Sequence, residues 1–127
     1  MRPSSRRQSP GATIAVVPYD QVLADRIRNH IGNDPALAEK KMFGGLAFLI
    51  QGNMAVAASG QGGMMVRVNP DESDELVATT PAQVTVMRGR AMPGWLRLSS
   101  DDVATPDQVA AWVGRGVSYA RSLPPKA

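Results

Sequence analysis

The chain lacks cysteine and has one histidine, His30, among its 127 residues. Without thiols, disulfides, thiolate zinc sites and cysteine nucleophiles are excluded, and a single imidazole cannot build a histidine metal cluster. A catalytic triad is not expected, because His30 falls in the last turn of a predicted helix with no evident partner. We therefore predict no catalytic residues, no metal site and no cofactor, and we do not expect an enzyme.

Long apolar runs are also missing. The sequence has no run of about 18 apolar residues, so we expect no membrane span and no membrane partner. The apolar piece at 12–17 is shorter than the roughly 7–15 residues of a signal-peptide core. We interpret residues 1–17, rich in Ser, Pro and Arg, as a disordered leader and residues 18–127 as one domain in a bacterial cytoplasm.

Neither sign of charge is in excess over the body of the chain. The sequence has 14 Lys and Arg against 11 Asp and Glu, and Arg2, Arg6 and Arg7 lie in the first ten residues, which contain no acid. The other residues therefore hold equal numbers of cations and acids. Because phosphate-dominated binding needs several clustered cations, this balance favours a protein partner, and any nucleic-acid contact is expected to be weak or indirect.

Apolar residues at helical spacing predict three helices. The first follows an N-cap at Asp20 and ends at Gly32, and the last ends before Pro124. The second and third helices each start with the spacing of a capping box, in which an N-cap residue and a Glu or Gln three residues later hydrogen-bond reciprocally. These pairs are Asn69 with Glu72 and Thr105 with Gln108.

About five strands are predicted between the helices. Short apolar runs follow one another too closely for helical crossovers, so the strands should form an antiparallel meander. We expect a tight turn at Gly52-Asn53, because both residues tolerate the positive φ of a two-residue hairpin. Met87-Arg88-Gly89 is expected to lead into a further turn. Strands that are grouped rather than alternating singly with helices predict an α+β domain.

The adjacent glycines Gly44 and Gly45 follow two lysines and could be mistaken for a phosphate-binding loop. In a Walker loop the lysine follows the glycines, whereas Lys40 and Lys41 precede them here. A dinucleotide fingerprint needs a strand on one side and a helix on the other, and this pair lies between two predicted strands. We interpret the glycines as a bend or a point of close backbone packing.

The stretch around these glycines resembles a known family. The segment KMFGGLAFLIQGNMAVAASGQGGMMVRVNPDE is similar to the signature of the TfoX/Sxy N-terminal domain, and GRAMPGWLRLS and VAAWVGRGVSYARSLPPK fit the same group. The resemblance covers roughly Tyr19 to Lys126. It implies a two-layer fold, in which helices pack on one antiparallel sheet as in secretion-chaperone-like folds.

The resemblance also implies a function. The best-known members of the family regulate natural competence together with a cyclic-AMP receptor protein at promoters, and they carry a second, C-terminal helical domain. The chain ends soon after Pro125, so we expect a single-domain member. We predict a non-catalytic regulatory or protein-interaction module, a monomer or homodimer, whose partner is a protein such as a transcription factor or a polymerase component.

Two turn regions carry aromatic and charged side chains that a turn alone does not need. They supply the candidate partner-binding residues, which are Phe43, Gly44, Gly45, Arg88, Arg90 and Trp95. The alternative function is weak direct binding of nucleic acid by the Arg-rich leader and the segment from Arg88 to Arg97, in which cations flank an aromatic ring. Against that alternative, we expect Trp95 to pack under the final helix near Trp112.

Overall fold

Six strands and three α-helices make up the part of the chain that the structure describes. The computed structural model describes residues 19–42 and 44–126, so the predicted leader at 1–17 and Phe43 lie outside the described residues. Along the chain the order is one helix, four strands, a helix, two strands and a helix, where the sequence pattern predicts three or four strands before the second helix. The elements are α1 Gln21–Ile31, β1 Leu37–Met42, β2 Gly45–Ile50, β3 Asn53–Ala58, β4 Met64–Arg67, α2 Ser73–Thr79, β5 Gln83–Met87, β6 Arg90–Leu98 and α3 Pro106–Ser122.

All six strands belong to one antiparallel sheet with the order β1-β2-β3-β4-β6-β5. The predicted two-layer α+β class is confirmed, with six strands rather than about five. The strand with the weakest sequence pattern is β1, which lies at the edge of the sheet and has mostly exposed side chains. An edge strand exposed in this way lacks the apolar alternation by which strands are recognised in a sequence.

The turn between β2 and β3 differs from the prediction by one residue. Ile50 pairs with Asn53, so the turn residues are Gln51 and Gly52, with φ of 54° and 82°. The predicted turn residue Asn53 is buried instead, and its side-chain amide donates a hydrogen bond to the Pro124 carbonyl over 2.9 Å. Asn53 therefore ties the sheet to the segment after α3. The second predicted turn is confirmed, since Arg88 and Gly89 have φ of 53° and 76°.

The main core lies between the helices and one face of the sheet. Phe48, Val56, Val66 and Leu96 of the sheet are fully buried there against residues of α1 and α3, including Ile27. Each side chain of this size contributes about 1.5–3 kcal/mol when fully buried. None of the helices that the structure describes is long and apolar enough to cross a membrane.

Only one of the two predicted capping boxes is present. In α3 the Thr105 hydroxyl accepts from the Gln108 N–H, and the Gln108 side chain accepts from the Thr105 N–H. The other prediction is wrong, because Asn69 accepts from the Asp71 N–H and starts a 3₁₀ turn at Pro70–Glu72. The α-helix α2 begins only at Ser73, so the reciprocal geometry of a capping box is not formed there.

An ion pair joins α1 to the edge strand β1. Arg28 donates two hydrogen bonds to the Glu39 carboxylate, at 2.6 and 2.8 Å, and a third to Asp25. The hydrogen bonds from Arg28 lower the pKa of Glu39, and the same pair raises the pKa of Arg28. Both side chains are partly exposed, so solvent screens the pair and its contribution to stability is modest.

We expect Glu39→Gln to lower the free energy of unfolding at neutral pH by about 0.5 kcal/mol, the size measured for exposed ion pairs. The folded-state pKa of Glu39 is below its unfolded value, so the contribution is complete above the unfolded pKa and is lost as the pH falls through the folded one. Urea unfolding of both proteins from neutral to acidic pH measures this. A difference that stays the same at acidic pH would show that packing, not charge, is responsible.

Candidate functional site

The sheet has a second apolar face that points away from the helices. Ala47, Met54, Ala57 and Met65 are buried there, with Met42, Leu49 and Trp95 packed against them. These residues alternate along the strands with those of the main core, and their cluster contains no residue of α1, α2 or α3. We call this surface the methionine face. The name covers these seven residues and the other strand side chains that the register places on the same side of the sheet.

A cleft opens on the methionine face. It has two adjoining lobes of about 100 and about 80 Å³, and both are lined by Met65, Thr85 and Met87. The first lobe extends to Met42 of β1, and the second extends to Trp95 of β6. Because β1 and β5 are the two edges of the sheet, the sheet must curl for their side chains to line one lobe.

Positive charge is concentrated on the methionine face. Antiparallel partners point to the same side of a sheet. Lys40 pairs with Ala47, Arg67 with Trp95, Arg97 with Met65 and Arg90 with Met87, so the register places these four cations on the methionine face.

The acids lie elsewhere. Glu39 is the only acidic residue in any of the six strands, and its ion pair with α1 places it on the helix side. The equal numbers of cations and acids in the body of the chain therefore conceal a separation between the two layers. Composition could not show this separation, because it depends on the register of the strands.

Arg67, the last residue of β4, lies at the border between the methionine face and the helix layer, between two aromatic rings. Its guanidinium carbon lies 5.0 Å from the centroid of Trp95 and 5.7 Å from that of Tyr119 in α3. Cation–π contacts at this distance contribute about 0.5–1 kcal/mol each at exposed sites. They fix the position of the guanidinium and cover part of the Trp95 ring.

The sequence matches a family profile over most of its length. The match is to the TfoX N-terminal domain, over residues 32–120. The chain belongs to the TfoX N-terminal domain family. The matched range runs from the end of α1 into α3 and includes the whole sheet, so it contains the methionine face. No curated protein matches the chain. Membership places this TfoX N-terminal domain among modules of a regulatory type.

The predicted glycines have a structural role in the TfoX N-terminal domain. A Cβ on Gly45 would lie 2.1 Å from the Ala58 carbonyl oxygen, and a Cβ on Gly60 would lie 2.5 Å from that of Gly44. The two glycine segments therefore pack backbone against backbone, which confirms the interpretation of close packing. Gly45 also lines the first lobe of the cleft.

The other predicted residues divide into two groups. Arg88 and Arg90 are exposed near the tip of the β5–β6 hairpin, whereas Trp95 lines the second lobe of the cleft. The expectation that Trp95 packs under the final helix near Trp112 is wrong. Trp112 belongs to the helix-side core, and Trp95 lies on the opposite face of the sheet.

Sequence reasoning did not identify several residues that shape this surface. Thr85, Met87 and Arg67 were absent from the predicted site. The available signal was an arginine in alternation with buried apolar residues, as in MMVRV and WLRL. That pattern predicts a half-buried strand with a second face that is cationic rather than merely solvated.

Proposed function

We propose that this TfoX N-terminal domain is a non-catalytic protein-interaction module of the bacterial cytoplasm. Its methionine face binds an acidic segment with apolar side chains on a transcription factor or a polymerase component. The observation that carries the proposal is the combination on one face of Lys40, Arg67, Arg90 and Arg97 with methionines, and with no acidic strand residue.

The chemistry of the face suits a peptide. Methionine side chains adapt their shape to different apolar partners, and Met42, Met87 and Met92 are only partly buried. Arginines beside them can form paired hydrogen bonds with carboxylates. An acidic segment carrying two or three apolar side chains would satisfy both features.

The same face is also the reason to consider nucleic acid as a second candidate, because cations surround an aromatic ring. Bases stack on exposed aromatic faces of a sheet. Here Arg67 covers part of the Trp95 ring, and Trp95 is itself half-buried among the apolar residues of the face. This arrangement reduces the surface available for stacking and supports a protein partner.

We expect the double substitution of Lys40 and Arg90 by Glu to weaken partner binding about tenfold, the equivalent of about 1.4 kcal/mol for two lost charge pairs. The matched control substitutes Lys41 and Arg115 by Glu. It changes the charge equally on the helix side and should alter affinity less than twofold. Biolayer interferometry with purified cyclic-AMP receptor protein and RNA polymerase holoenzyme measures both variants.

Fluorescence anisotropy with single-stranded and duplex DNA distinguishes the second candidate. If the domain acts through a protein partner, its binding to DNA should be weak and should disappear near physiological salt, because few phosphates would be neutralised. If neither protein binds, and single-stranded DNA binds with an affinity that depends on Lys40 and Arg90, the domain is a nucleic-acid binder instead.

A further inference from the structure

One buried hydroxyl on the methionine face has no hydrogen-bond partner. Among the described residues, Thr85 Oγ1 is the only buried side-chain oxygen or nitrogen without one, and Thr85 is 3% exposed. The large majority of buried side-chain polar atoms in proteins are paired. The oxygen itself has almost no accessible surface, so a ligand that pairs with it must displace the side chains that cover it. A buried hydroxyl left unpaired beside a cleft is therefore a sign that a binding partner completes the site.

The position of Thr85 follows from an irregularity in the sheet. Val84 pairs with Leu96, but the next residue, Thr85, pairs with Met92, so residues 93–95 of β6 have no partner in β5, although Trp95 pairs with Arg67 of β4. Thr85 is thereby placed at the junction of the two lobes of the cleft and lines both.

The two lobes differ in chemistry. The second lobe, around Met92 and Trp95, exposes only apolar atoms, and Thr85 contributes no exposed oxygen to it. The first lobe contains Arg97, a half-buried arginine that forms no ion pair with the residues that the structure describes. Among the described residues, an unpaired guanidinium and a buried unpaired hydroxyl therefore lie beside an apolar lobe, in two cavities that share Met65, Thr85 and Met87 in their linings.

We propose that the cleft binds a small monocarboxylate with an apolar body. The carboxylate accepts hydrogen bonds from the Thr85 hydroxyl and from Arg97, and the body lies between Met92 and Trp95. The two lobes, of about 100 and 80 Å³, together compare with the cavities of about 150 Å³ that take up benzene, so a ligand that occupies both is limited to a single ring or a short alkyl chain with its carboxylate. Hydrogen bonds to an ionised carboxylate are stronger than hydrogen bonds between neutral groups, so the acid should bind more tightly than the corresponding alcohol.

Methionine methyl NMR on the full chain tests the site without any protein partner, so its result is independent of the proposed function. The probes are benzoate and hexanoate, with benzyl alcohol and hexan-1-ol as neutral controls. We expect the methyl signals of Met65, Met87 and Met92 to shift on titration with either acid, and the signal of Met64, on the helix side, to stay in place.

The variants assign the polar contacts. Arg97→Gln should remove most of an approximately tenfold preference for benzoate over benzyl alcohol. Thr85→Val should weaken binding of both about fivefold to tenfold, whereas Thr85→Ser, which keeps the hydroxyl, should bind as the wild type does. Thermal unfolding of Thr85→Val should show an equal or higher Tm, because the variant loses an unpaired buried hydroxyl; this separates loss of binding from loss of folding.

Three results would overturn the proposal. The first is an absence of shifts at Met65, Met87 and Met92 up to about 10 mM of either acid, a range that covers the weak affinities of very small ligands. The second is a shift of Met64 equal to theirs, which would mean non-specific association. Unchanged acid affinity in both Thr85→Val and Arg97→Gln would equally exclude the cleft as the binding site.

Discussion

Gly45→Val is expected to lower the free energy of unfolding by about 3 kcal/mol, the upper end of ordinary single substitutions. A Cβ at this position would lie 2.1 Å from the Ala58 carbonyl oxygen and 2.9 Å from the Gly60 amide nitrogen. Both are backbone atoms, so no side-chain rotation can relieve the contact. The strand would have to separate from the β3–β4 turn, or the pairing of Leu46 with Ala58 would have to break. Urea unfolding followed by circular dichroism measures the loss.

The neighbouring glycine provides the control. Gly44 has φ of 76°, and the nearest atom to an added Cβ is 4.0 Å away. Gly44→Asn should therefore cost less than about 1 kcal/mol, because asparagine tolerates this left-handed conformation. If the two variants unfold at the same urea concentration, the close approach of the two glycine segments is not what stabilises the bend.

The layout of the fold could be predicted because its signals are local. The Asp20 and Thr105 caps, the Arg88-Gly89 turn and the apolar stripes of α1 and α3 each depend on residues a few positions apart. Errors arose where a distant part of the chain decides the outcome. Asparagine is a residue type common in turns, but the Pro124 carbonyl accepts a hydrogen bond from the Asn53 side-chain amide, which allows Asn53 to be buried in a strand.

Much of the candidate site could not be predicted, because it depends on strand register. The register places Arg97 beside Met65 and Arg67 beside Trp95, so residues about thirty positions apart become neighbours. Neither the net charge nor the periodicity of any one segment reveals that pairing. Pro93-Gly94 marks an irregularity within β6, but the sequence does not show that it changes the pairing so that Thr85 lies opposite Met92.

Two glycines in α3 that lie two positions apart should respond to the same substitution in opposite ways. A Cβ on Gly116 would lie 2.4 Å from the Ala55 carbonyl oxygen and 2.7 Å from a methyl group of Val56. Gly116 is buried where α3 crosses β3, so added volume must push the helix off the sheet. Overpacking of this kind costs typically about 1–3 kcal/mol, and we expect Gly116→Ala to fall near 2 kcal/mol because one of the contacts is with backbone.

Gly114 is exposed on the same helix, and an added Cβ would have nothing within 4 Å. Gly114→Ala should therefore stabilise the domain by about 0.5–1 kcal/mol, because alanine reduces the freedom of the unfolded chain and has a higher helix propensity. Both variants add one methyl group to the same helix, so helix propensity favours both equally. Their difference in free energy of unfolding, about 2.5–3 kcal/mol, isolates the contact between α3 and β3. Thermal and urea unfolding of the two single variants and the double variant measure it, and stabilisation by Gly116→Ala would mean that the helix lies farther from the sheet than the structure shows.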